Sequence, residues 1–205
     1  MDVRLNFINH ADDPNHSQLL IFGRNPETSL DEIAAAWTVI ADFRPSMTYA
    51  VLYPADTGIS VQDGFGNFTP MLPAAPGQHF RVAESEDGLI VEQAVAAGPP
   101  DQITLANQLR QGAVHVGLYK DKRLYLAERN LLPEQTAAFR LRPTIWVGVA
   151  SQSPLDAGSN SAILSSVATE ISLLGVASAD IVMTGGGTGA NAGPLAFTLE
   201  NVVMA

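Results

Sequence analysis

The chain has 205 residues, no cysteine and a formal net charge of −10, from 21 acidic against 11 basic side chains. That charge repels nucleic acid and an anionic membrane surface, and the lack of cysteine excludes disulfides, thiolate metal sites, iron–sulfur clusters and cysteine nucleophiles. With 46% hydrophobic and only 16% charged residues, the chain is not intrinsically disordered, and its solubility falls to Ser, Thr, Asn, Gln and Gly or to a partner that covers part of it.

The opening "MDVRLNFINH" lacks the apolar core of a signal peptide, and no apolar run reaches the ~18 residues of a membrane helix, so the expected location is cytoplasmic. Val3, Leu5 and Phe7 alternate on one face, the period of a half-buried strand. In "HADDPNH", His10, Asp12, Asp13 and His16 could ligate a divalent cation or serve a hydrolase on a β scaffold. No zinc spacing matches, Asp-Pro-Asn is ordinary turn chemistry, and no other cofactor is expected.

A strand at 18–22 follows. "SLDEIAAAWTVIADF" (29–43) then carries Ser29 and Glu32 at capping-box spacing and Ile33, Trp37 and Ile40 at helical spacing. The same stretch alternates as a strand would, but its alanine run leans the expectation to helix. Strands are expected at 48–53 and 58–62. Between 63 and 68, Asp-Gly and Gly-Asn predict a turn with Phe65 at its tip, and Phe65, Asn67 and Phe68 could meet a sugar ring or a partner.

Strands at 78–84 and 88–93 lead to "VAAGPPDQ" (95–102). Its Gly-Pro-Pro marks the one candidate internal boundary and reads more simply as a crossover between sheets. "APGQHFRV" (75–82) and "LPEQTAAFRL" (132–141) repeat a phrase, read as a shared way of starting a strand. After a strand at 101–106, "AVHVGLY" and "LYLAE" flank "KDKR" as a hairpin. Its tip carries the chain's only basic knot, Lys120, Lys122 and Arg123, and its Tyr119 and Tyr125 join the ring-binding candidates.

Phe139 and Leu141, then Ile145, Val147 and Val149, alternate around Pro143, and Trp37 and Trp146 read as core. The segment 160–175 fits either a helix ending at Gly175 or a long strand. Strands at 179–184 and 195–203 enclose the glycine loop "GGGTGANAG". No lysine follows to make a phosphate loop, and no helix and second parallel strand fit behind the Gly-x-Gly-x-x-Ala letters. Gly185, Gly186, Gly187, Gly189 and Asn191 are therefore a tight connection or a contact loop.

The turn rhythm predicts a mainly β, antiparallel β-sandwich of about ten to fourteen strands with zero to two short helices. It is read as one domain, 1–205. No serine elbow or placed triad points to an enzyme. The leading expectation is a non-enzymatic protein acting through protein contact, as a homo-oligomer or with another protein. A glycan- or small-ligand-binding module is the alternative.

Overall fold

The structure, a computed structural model, describes residues 1–13, 17–27, 36–86, 88–150, 168–188 and 192–205. Among the described residues there are sixteen strands and no helix. Among the described residues no helix is long and apolar enough to cross a membrane. In chain order the strands are β1 (Val3–Asn9), β2 (Gln18–Phe22), β3 (Ala36–Ile40), β4 (Thr48–Tyr53), β5 (Thr57–Gln62), β6 (Leu72–Ala74), β7 (His79–Ser85) and β8 (Gly88–Gln93). They continue as β9 (Gln102–Asn107), β10 (Val114–Lys120), β11 (Arg123–Leu131), β12 (Thr136–Arg140), β13 (Thr144–Ala150), β14 (Ala168–Ser172), β15 (Val176–Gly186) and β16 (Gly193–Met204). The mainly β expectation stands, with more strands than expected because β3, β6 and β14 are short and weakly patterned.

The chain forms two compact units. The first joins residues 1–23, 35–55 and 143–205; the second joins 24–34 and 56–142. In the first unit the sheets run β16-β15-β1-β4 and β14-β13-β2-β3; in the second they run β12-β9-β7-β8 and β11-β10-β5-β6.

Both units have the same plan. If β1 to β8 are laid on β9 to β16 in order, every pairing of one unit falls on a pairing of the other. The parallel contact β1–β15 falls on the parallel contact β9–β7, and all others are antiparallel in both. Among the described residues the chain is thus an eight-strand series used twice, with the halves recombined. Strands β5–β12 close one unit, while β13–β16 and β1–β4 close the other.

Hydrogen bonding repeats at residue level. Asn9 ends β1 and Asn107 ends β9, and both are 0% exposed. Asn9 Nδ2 donates to the Phe43 carbonyl (2.6 Å) and its Oδ1 accepts from Ala11 N–H (2.8 Å). Asn107 Nδ2 donates to the Leu131 carbonyl (2.9 Å) and its Oδ1 accepts from Leu109 N–H (3.1 Å). Their backbones match as well. Asn9 exchanges bonds with Met47 and Ser46, and Asn107 with Gln135 and Glu134. Each asparagine pins the turn that launches the fourth strand of its half. Both turns have proline at the second position, Pro45 or Pro133, and a positive φ at the third, Ser46 (66°) or Glu134 (68°), the type II pattern.

The cores follow the alternation. Val3, Leu5 and Phe7 of β1 are buried with Ala179 and Ile181 of β15, and Ile145 and Val147 of β13 with Leu19 to Phe22 of β2. Trp37 of β3 meets Tyr53 of β4 edge-on, with ring centroids 5.7 Å apart. In the second unit Phe80, Val82, Ile103, Leu105 and Phe139 of one sheet and Ile59, Val61, Val116 and Leu118 of the other are buried.

Two expectations are corrected and one open alternative is resolved. The helix leaning of 29–43 fails where it can be seen. Residues 36–40 are β3, because Thr38–Ile40 pair with Leu19–Ile21 and Ala36 with Phe22, and tertiary pairing outweighs the alanine propensity. Residues 28–35 lie outside the described residues. Of the two readings of 160–175, residues 168–172 take the strand, β14 paired with β13; 160–167 lie outside the described residues. Finally, residues 94–101 do not cross between sheets. They carry the chain over β7, from β8 to β9 of one sheet.

Candidate functional site

The sheet β16-β15-β1-β4 has apolar strands at both edges. Along β4 the phase of the ladder is set by Asn9, whose N–H donates to the Met47 carbonyl (3.0 Å). Hydrogen-bonded pairs alternate in an antiparallel ladder. Tyr49, Val51 and Tyr53 therefore spend their backbone groups on Phe7, Leu5 and Val3. The N–H and C=O of Thr48, Ala50 and Leu52 point the other way, and among the described strands none pairs with that side. Tyr49 is 48% and Leu52 53% exposed. No charged residue occurs from Pro45 to Ala55.

At the opposite edge, β16 exposes Val202, Val203 and Met204. Its pairing with β15 is interrupted by three register shifts. Asn201 has a φ of 48°, and Glu200 adds a charge. Bulges and charges of this kind blunt an edge, while the pairing of β4 with β1 runs without a shift. Across the outer face of this sheet Asn201 Nδ2 (2.7 Å) and Asn6 Nδ2 (2.8 Å) donate to Asp180. These two bonds, Asn201's first, hold the Asp180 carboxyl below its ordinary range.

The second unit supplies an internal control. Its counterpart of β4 is β12, where Arg140 pairs with Glu27 (3.2 Å) and Asp101 (3.0 Å). The counterpart of β16 is β8, whose Glu92 accepts from Arg81 (2.7 Å). Both of those edges carry charge, and β4 carries none.

The glycine loop and the acidic loop, separate in sequence, meet. His10 N–H donates to the Met183 carbonyl (2.8 Å), Asp12 N–H to the Gly185 carbonyl (2.9 Å), and Gly187 N–H to the Asp12 carbonyl. Gly185, Gly186 and Gly187 have φ of 93°, 84° and 89°. A Cβ on Gly186 would collide with the Asp12 carbonyl oxygen, and one on Gly185 with that of Pro194. Backbone approaching backbone is what these glycines allow; Gly189 and Asn191 lie outside the described residues. Of the cation candidates, His10 and Asp12 are exposed. Asp13 is buried, its Oδ2 accepting from Ser17 N–H (2.7 Å). His16 lies outside the described residues. Among those described, no three His, Asp or Glu side chains group to hold a metal.

The aromatic candidates are dispersed. Phe65 is 94% exposed on a loop tied by Asp63, whose carboxylate accepts from Phe65 N–H, Asn67 N–H and Asn67 Nδ2 at 2.8 to 2.9 Å. The Asn67 side chain above all holds that carboxyl below its ordinary range. Phe68 bridges to Gln62, at one end of β5. Tyr119 pairs with Gly58 at the other end of β5, its ring folded over Gly117, and burial raises its hydroxyl pKa. Tyr125 is only 4% exposed. A register shift between Leu118 and Tyr119 breaks the alternation of β11 and turns its ring inward, 5.6 Å from Lys120 Nζ. The remaining histidines are hydrogen-bonded within strands: His79 Nδ1 to Thr104 Oγ1 (2.8 Å), and His115 Nδ1 accepting from Asn130 N–H (3.1 Å).

No family model, curated protein or solved structure matches this chain.

Proposed function

We propose that this protein acts through protein contact, by associating with itself, and not by catalysis. The observation that carries the reading is the unequal treatment of equivalent edges. One plan is built twice, yet among the described residues β4 of the first unit presents an uncharged edge with Tyr49 and Leu52 exposed, where its counterpart β12 carries Arg140. An exposed edge strand is a template for pairing with another chain. The glycan reading is less well supported, because its aromatics are divided between the two ends of β5 and one of them is buried.

Light scattering across about 10 μM to 1 mM tests the reading, a range suited to a small interface. Mass is expected to rise with concentration. It should rise further with added salt, which screens the charge of −10 on each copy. A strict monomer throughout would remove the proposal.

A further inference from the structure

Resting on that reading, we infer that the contact is made by β4 pairing antiparallel with β4 of a second copy, about a two-fold axis at Ala50. The free backbone groups belong to Thr48, Ala50 and Leu52. This register sets Ala50 against its symmetry mate and Thr48 against Leu52, so up to about six new hydrogen bonds form in the ladder. On the inner face, Tyr49 of each copy then lies opposite Val51 of the other. That aromatic–β-branched cross-strand pair, made twice, covers the half-exposed Tyr49 ring. On the outer face Leu52 is covered by Thr48.

The strand is its own best complement. Isologous pairing brings two identical strands together, so charges of one sign in β4 would repel across the axis; from Pro45 to Ala55 there is none. β16 lacks this property, because Glu200 and three register shifts interrupt it. β12, the counterpart of β4 in the second unit, carries Arg140. Two four-stranded sheets would thereby become one continuous sheet across the dimer.

The test uses the full chain and exploits its lack of cysteine. Ala50→Cys is expected to give a covalent dimer on mild oxidation, since directly opposed residues place their Cα atoms about 5.5 Å apart, within disulfide reach. Val202→Cys, on the other edge, is expected to give none. Ala50→Pro removes an N–H that β1 does not use, so it should leave circular dichroism unchanged while raising the dimer dissociation constant at least ~tenfold. Leu52→Lys, which leaves the backbone unconstrained, should do the same. Association that survives both Ala50→Pro and Leu52→Lys would overturn this inference and leave self-association standing. So would cross-linking by the Val202→Cys chain in place of the Ala50→Cys chain. A wild-type chain that never associates would remove both.

Discussion

Asn107→Ala is expected to destabilise the second unit by roughly 3–4 kcal/mol, and Asn9→Ala the first by a similar amount. Each carboxamide is fully buried and serves groups that have no water to fall back on. Without Asn107, the Leu131 carbonyl and Leu109 N–H lose their partner; without Asn9, the Phe43 carbonyl and Ala11 N–H lose theirs. A buried donor or acceptor left unpaired costs about 1–3 kcal/mol, so two at one site account for the magnitude. The substitutions should also act in different places. Hydrogen exchange is expected to quicken in β9 and β12 for Asn107→Ala and in β1 and β4 for Asn9→Ala. Equal loosening of all four strands by either change, or stability within ~0.5 kcal/mol of wild type, would show that these asparagines are not the paired pins described above.

Gly186→Ala is the second large effect. Its φ of 84° strains any L side chain, and its Cβ would meet the Asp12 carbonyl, a backbone atom that cannot rotate away. Together these should cost about 3 kcal/mol or more and detach residues 10–13 from β15. Gly193→Ala is the control within the same loop, because a Cβ there meets open space. It should change the melting temperature by less than ~2 °C. Equal melting temperatures for both variants would contradict close backbone packing as the reason for the glycines.

The strands were largely legible because most bury one face. "VRLNFI" alternates buried and exposed as β1 does, and the Lys120–Arg123 hairpin turns on Asp121 and Lys122, both at positive φ. What failed was decided by distant pairing. Trp37–Ile40 become a strand through β2, and Tyr125 turns inward at a bulge that no local pattern marks.

The duplication was hidden because it is preserved in hydrogen bonding and topology, not in letters. Asn9 sits in "FINHA" and Asn107 in "LANQL". The phrase that did repeat, around Gln78 and Gln135, belongs to β7 and β12, which hold different places in the plan. It records a local turn in which the glutamine Oε1 accepts from the N–H three residues before it, Ala75 or Leu132. The β4 contact surface carried a readable signal, an aromatic and β-branched run with no charge from Pro45 to Ala55. Sequence alone gave no equivalent edge to compare it with.

Among the described residues one eight-strand series is used twice with its halves recombined. β1 and β16 flank β15 and reach the same end of it, so Val3 and Met204 lie about 10 Å apart, two strand spacings. In the second unit residues 94–101 make the corresponding link. A chain permuted to begin at Asp56 and end at Ala55, with Ala205 joined to Met1 by about eight flexible residues, would run as the eight strands of one unit followed by the eight of the other. Thermal unfolding followed by circular dichroism is the direct measurement. The permuted chain should keep the β spectrum and melt within about 5 °C of the parent; an insoluble product, or a spectrum without the β signal, would contradict the shared plan.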